Sequence, residues 1–230
     1  VDRVVDYAAD QGRRSMAALI PETTYGSVVE AQFREAAARR GIRVTGMERY
    51  APGQAQAAVS RLAPVFAGNA AQIDALLIPE GGESLPAIAA ALTAASFNPA
   101  RVKPLGTGVW NDPRAFGLAA LQGGWFAAPD AAGYAALAGR YRAKFGQDPT
   151  RIATLSYDAV SLAAALARQQ GSQRFSDAAL TNPSGFAGAD GVFRFRSDGS
   201  NERALGVLEI RGGTTNVVSP APKALGGSGT

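Results

Sequence analysis

Histidine and cysteine are both absent from this 230-residue chain. Without histidine the commonest general base is missing, and a Ser-His-Asp triad is impossible within the chain. Zinc of the usual kind is excluded as well, because carboxylates alone would have to hold it. Without cysteine there is no disulfide framework and no thiol chemistry. That composition suits cytoplasm and periplasm alike. No apolar run approaches the roughly 20 residues needed to cross a bilayer. No basic segment followed by an apolar run reads as a signal peptide, and a processed or shortened exported chain would lack one too. Lysine and arginine number 23 against 19 acidic residues, a net charge of +4. The excess is spread out, with no basic block to track a phosphate backbone, so no nucleic-acid partner is expected.

What is present is a core. Hydrophobic residues make up 47% of the chain and charged residues 18%, which allows a packed interior and argues against disorder. The length suits one large or two small domains. The organising stretch is 16–26. An apolar run stops at Pro21, a polar loop follows, and an amphipathic helix runs over 27–40. This is half of a βαβ unit. The pattern recurs, with strands expected at 15–20, 42–47, 74–79 and 102–107. Helices are expected at 1–11, 27–40, 54–66 and from Ser84, which can cap its helix. The run 74–79 is continuously apolar, as in a strand covered on both faces. The fold class is therefore α/β, a parallel sheet flanked by helices. Ligands in such sheets sit outside the carboxyl ends of the strands, so these exits are expected to line one cleft.

The pattern changes after Gly117. Residues 123–129 form a short apolar segment, and two long helices follow. Tyr134, Leu137, Tyr141 and Phe145 line the first; Leu155, Ala159, Leu162 and Leu166 line the second. Residues 192–196 and 205–210 read as a β-hairpin with a loop longer than two residues. From Gly212 the chain is rich in Gly, Ser, Pro and Thr and is expected to fray.

The third strand exit carries Glu80, Gly81, Gly82 and Glu83. Glycines let a backbone approach a ligand, and helix N-termini attract anions. A carboxylate there grips an ammonium, or simply stabilises the first turn of its helix. Trp110, after the fourth strand, either stacks on a ligand or plugs the cleft wall. Gly106-Thr107-Gly108 lacks the third glycine of a dinucleotide fingerprint, and Gly81-Gly82 lacks the Lys-Ser/Thr of a P-loop. Glu22, Glu80, Glu83 and Asp112 would have to meet in pairs to make a glycosidase, a remote reading. No catalytic residue, cofactor or metal site is assigned.

The order of motifs resembles the type I periplasmic binding proteins, the leucine/isoleucine/valine-binding group. The resemblance rests on Tyr25-Gly26, Gly41-Ile42-Arg43-Val44, Tyr50-Ala51-Pro52-Gly53, Leu105-Gly106-Thr107-Gly108 and Gly124-Trp125-Phe126. It continues through residues 141–149, Tyr157-Asp158-Ala159 and residues 185–191. Within that group, residues 105–110, 123–126 and 182–186 are most similar to bacterial lipoprotein-like activators of penicillin-binding proteins.

The resemblance implies two α/β lobes joined by a hinge, in an exported protein that holds a small polar ligand between them. Its partner is then a membrane ABC permease importing an amino acid or similar solute. The alternative is a lipoprotein-like activator docked on a penicillin-binding protein. Either places the protein in the periplasm, with a lipid anchor on the full-length protein as one option. Residues 1–122 would be the second lobe and 123–129 a hinge crossing. Residues 130–190 would be the helical part of the first lobe, 191–211 a hairpin returning through the hinge, and 212–230 a flexible tail. The family places an N-terminal lobe before the position of Val1, so the chain reads as a piece of a longer protein with an incomplete first lobe. The Leu155/Ala159/Leu162/Leu166 stripe would then need covering by a partner chain, by self-association or by a fold-back.

The resemblance also points to ligand contacts. Tyr25 stands where the family often touches ligand, although a tyrosine there also packs at a helix N-terminus. Gly108 stands where amino-acid binders carry an acid for the α-ammonium, and Asp112 is the nearest acid able to replace it. Asp158 is expected to have a structural role, and Trp125 and Phe126 to pack in the hinge.

Overall fold

The computed structural model describes residues 1–68, 71–168, 171 and 173–225. The chain divides into two units. The first comprises Val1–Ala128 and Val207–Ser219, and the second begins with Pro129–Gly206 and resumes at Pro220.

In the first unit, α1 (Asp2–Asp10), β1 (Ser15–Pro21), α2 (Thr24–Arg39) and β2 (Arg43–Tyr50) come first. They are followed by α3 (Ala55–Phe66), β3 (Ala75–Leu77), α4 (Ser84–Ala94) and β4 (Lys103–Gly106). A 3₁₀ turn (Gly108–Trp110), the short α5 (Pro113–Phe116) and a second 3₁₀ turn (Ala119–Leu121) lead to β5 (Trp125–Ala128). The pairs β1–β2, β1–β3, β3–β4 and β4–β5 are all parallel. Every residue of β1 is buried, as expected for a strand covered on both faces. Ala17, Leu19, Leu76 and Ile78 pack with Val59, Leu62, Ile88 and Leu92 of α3 and α4 in one core. Strand alternation turns Met16, Ala18 and Ile20 to the other face, where the buried Val4, Val5, Phe33 and Ala36 of α1 and α2 supply the cover. The mainly parallel α/β architecture read from the periodicity is the one observed.

Four readings are refined or changed. Within residues 123–129, Trp125–Ala128 is strand β5, with Leu105 opposite Trp125, and the second unit begins at Pro129. Trp125 and Phe126 are buried in this unit, and the Trp125 Nε1–H donates to Glu209 at 3.0 Å. The expected hairpin does not form either. Residues 206–211 become β9 (Gly206–Arg211), which pairs antiparallel with β10 (Thr214–Ser219). These complete a seven-stranded sheet of order β10-β9-β5-β4-β3-β1-β2. The expected tail thus begins with a paired strand, Thr214–Ser219, because Thr214, Thr215, Val217 and Ser219 find ladder partners on β9. Its last residues, 226–230, lie outside the described residues. Lastly, α4 begins at Ser84 with Glu83 in the capping position and no side-chain cap bond.

The second unit contains α6 (Ala131–Phe145), α7 (Ala153–Ala167) and α8 (Asp177–Leu180). Its antiparallel sheet has the order β6-β7-β8, from β6 (Phe186–Gly188), β7 (Gly191–Phe195) and β8 (Asn201–Arg203). Residue 193 therefore pairs with Phe186 and Arg203, not with 205–210. The buried side of α7 is Thr154, Asp158 and Leu166. Of the expected stripe, Leu155 is 48% exposed and Ala159 is exposed, whereas Leu162 is half-buried and Leu166 buried, so only its C-terminal end is covered among the described residues. The polar side turns inward because it has partners there. Asp158 accepts from the Ala189 N–H at 2.6 Å and from Arg203 at 2.8 Å. Thr154 Oγ1 donates to Asp190 at 2.5 Å, and Arg151 meets the same carboxylate at 2.9 Å.

Candidate functional site

Parallel pairing brings the ends of β1, β2, β3 and β4 to one edge of the first unit. Two hydrogen bonds interleave there. Tyr25, in the first turn after β1, shares a 2.5 Å bond between its hydroxyl and Thr107 Oγ1, just past β4. Tyr50, the last residue of β2, donates its hydroxyl to Glu80 Oε2 at 2.9 Å, just past β3. In the order β4-β3-β1-β2, the first bond passes over the exit of β3 and the second over the exit of β1.

Local chemistry sets this arrangement. Thr23 caps α2 by accepting from the Gly26 N–H at 3.0 Å, as N-cap threonines do. A Cβ at Gly26 would lie 1.9 Å from the Pro21 carbonyl oxygen, so only glycine lets α2 start this close to β1. Tyr25 is thereby held over the edge, 42% exposed. Burial raises its pKa; the Thr107 bond opposes that rise and the Glu80 charge adds to it. Tyr50 is buried, and desolvation, then the Glu80 charge and hydrogen bond, raise its pKa further. Glu80 Oε1 accepts from the Gly81 N–H at 3.1 Å, which fixes the carboxylate at both oxygens.

The other expected contacts divide. Gly81 and Gly82 follow Glu80, and the smallness of Gly81 serves packing: a Cβ there would lie 2.9 Å from Val109 Cβ, whereas Gly82 has open space around it and a φ of +60°. Glu83 and Gly108 are exposed on the same edge. Trp110 is 0% exposed. Its ring fills the space over Gly106 and Gly124 and lies beside Phe126, as a plug would, with no exposed face for stacking. Asp112 is engaged locally. It caps α5 by accepting from the Arg114 N–H and binds the Arg114 guanidinium at 2.6 Å, and the Arg114 side-chain bonds lower its pKa. Sequence reasoning missed Thr107 and Tyr50 as members of the site. The available signal for Tyr50 was its place directly before the Ala51-Pro52-Gly53 turn, at a strand exit.

Alongside this edge, an open polar depression is lined by Glu22, Thr23, Thr24, Ser27 and Arg49. Among the described residues no group of three or more acidic side chains is placed to hold a metal ion. No helix among them is long and apolar enough to cross a membrane.

The sequence model of the periplasmic binding protein family matches residues 1–215. The chain belongs to the periplasmic binding protein family. Solved structures share the fold of this binding protein. A candidate branched-chain amino acid ABC transporter from Rhodospirillum rubrum is 22% identical, with a TM-score of 0.78 over 94% of this chain and 64% of that one. A leucine-binding protein from Thermotoga maritima is 17% identical, with a TM-score of 0.70 over 95% and 63%. An ABC transporter solute-binding protein of R. palustris, in complex with benzoate, is 18% identical, with a TM-score of 0.68 over 99% and 64%. This binding protein thus spans slightly under two thirds of the length of the structures it matches. No curated protein sequence matches it.

Proposed function

We propose that this periplasmic binding protein captures a small polar solute at the carboxyl edge of its seven-stranded sheet and delivers it to a membrane ABC permease. The observation that carries the reading is the interleaved pair Tyr25–Thr107 and Tyr50–Glu80. Four strand exits present hydroxyls and a carboxylate together, at the edge where ligands bind in parallel α/β sheets. The part of the family plan that this chain does not span would complete the enclosure. The solute is an amino acid or a molecule of similar size, and the work is binding without a covalent step. The protein works in the periplasm. No observation in the fold favours regulation of a penicillin-binding protein over solute capture.

Thermal unfolding with added solutes tests this. Ligand at about 100 times its Kd stabilises a folded protein by about 2.7 kcal/mol. We expect a rise of several degrees in Tm with at least one member of a panel of amino acids, amines and aromatic acids, lost in Tyr25→Ala. A flat response across the panel contradicts the reading.

A further inference from the structure

We infer that the second unit carries a surface site of its own for a neutral saccharide, between α8 and the turn joining β7 to β8. The site is independent of solute capture at the sheet edge, because all of its lining lies within Pro129–Gly206. Helix α8 and the residue after it supply Asp177, Leu180 and Thr181; the end of β7 and its turn supply Phe195, Arg196 and Ser197. The pocket encloses about 430 Å³, is mainly apolar and opens to solvent. That volume lies within the roughly 300–1,000 Å³ typical of small-molecule sites. The turn is closed by its own bonds. The Arg196 N–H donates to the Ser200 carbonyl at 2.9 Å, and Asp198 accepts from the Ser200 N–H at 2.8 Å. The Phe195 ring stands edge-on to Phe193, centroids 5.9 Å apart, and Phe193 is buried. The aromatic wall is therefore anchored from behind.

The polar groups around that wall keep bonding capacity of both kinds. The Asp177 main-chain carbonyl accepts from Thr181 Oγ1 at 2.7 Å, while its carboxylate has no hydrogen-bond or ion-pair partner among the described residues. Thr181 Oγ1 spends its proton there and keeps its lone pairs for a ligand. Glu202 Oε2 is taken closely by Arg194, at 2.9 and 2.7 Å, and only loosely by Arg196, at 3.3 Å. Most of the Arg196 donors thus remain available, on a side chain 53% exposed. A simple anion in the pocket meets Asp177, and a simple cation meets Arg196. A neutral molecule that both donates and accepts uses the two together. A sugar ring does so: each hydroxyl is donor and acceptor, and its slightly positive C–H face lies well on the negative face of an aromatic ring. Leu180 extends that apolar wall.

An NMR titration of the isotope-labelled protein, read at its backbone amides, tests this. The probes are the methyl glycosides of glucose, galactose and N-acetylglucosamine, and maltose. Benzyl alcohol offers a ring with one hydroxyl, and L-phenylalanine offers a ring with both charges. We expect saturable shifts at Leu180, Thr181 and residues 195–199 with at least one saccharide, and weaker binding there by the other two compounds. In Asp177→Ala the affinity of that saccharide should fall about tenfold, the effect of losing a hydrogen bond to a charged group. Tighter binding at these amides by benzyl alcohol or L-phenylalanine overturns the inference. So do saccharide shifts confined to the first unit, silence from all four saccharides, or an unchanged affinity in folded Asp177→Ala. The map on the unmodified protein decides the matter even where the variant fails to fold.

Discussion

The Tyr50 hydroxyl lies 2.9 Å from Glu80 Oε2, joining the end of one strand to the loop after another with the exit of β1 between them. Tyr50 is buried and acts as a strut: it aims a carboxylate and stays inside. Removing its hydroxyl should cost stability and loosen Glu80 together. We expect Tyr50→Phe to cost about 1.5–3 kcal/mol in urea unfolding, the range for hydrogen bonds to charged groups.

The same pair sets an alkaline limit. The folded protein holds Tyr50 protonated well above the ordinary tyrosine range, whereas the unfolded chain ionises it near pH 10. Above that pH the unfolded state binds fewer protons than the native state, so stability falls as pH rises. Below it, both states keep the proton and the contribution is constant. Unfolding free energy measured from pH 8 to 11 should be flat at first and then decline. In Tyr50→Phe the decline should be shallower.

Gly26 is where the site meets the backbone. With its Cβ 1.9 Å from the Pro21 carbonyl oxygen, Gly26→Ala must push α2 away from β1 and carry Tyr25 with it. We expect a loss of about 3 kcal/mol, the upper part of the range for overpacking. Solute binding should weaken in the same variant. Chemical denaturation and titration on one preparation check both.

Much of this was legible beforehand. Pro21 closing an apolar run before Tyr25-Gly26 marked the first exit, and the run 74–79 marked a strand buried on both faces. The Tyr50–Glu80 contact was not legible, because the order β4-β3-β1-β2 sets strands side by side out of chain order and periodicity carries no information on that. Asn201–Arg203 is a polar strand with no β-propensity signature, so β7 lost its true partner in the reading and was matched to β9. The helix α7 is rich in alanine with apolar residues around most of its circumference, which makes its stripe ambiguous. Buried hydrogen bonds to Thr154 and Asp158 decided it instead.

Trp110 separates core from site. Its ring is fully buried over Gly106 and Gly124. Trp110→Phe should destabilise the protein by less than the about 3–5 kcal/mol of truncation to alanine. Affinity for any solute that binds should stay within twofold, roughly the scatter of independent sites. A large loss of affinity at intact stability would return Trp110 to the ligand.

In the second unit, Asp158 and Arg203 form a nearly buried ion pair at 2.8 Å. Removing one partner leaves a charge without compensation, and Asp158→Ala should cost about 3–5 kcal/mol. Asp158→Asn combined with Arg203→Met should cost less than the sum of the two single changes, since they share one interaction. Circular dichroism in urea on the four proteins gives the coupling.

A crystal structure of the protein with a solute that raises its Tm tests the central claim most directly. We expect the solute within hydrogen-bonding distance of the Tyr25 hydroxyl and the Glu80 carboxylate, at the carboxyl edge of β1, β3 and β4. A solute bound elsewhere, with that edge holding only water, would contradict the account.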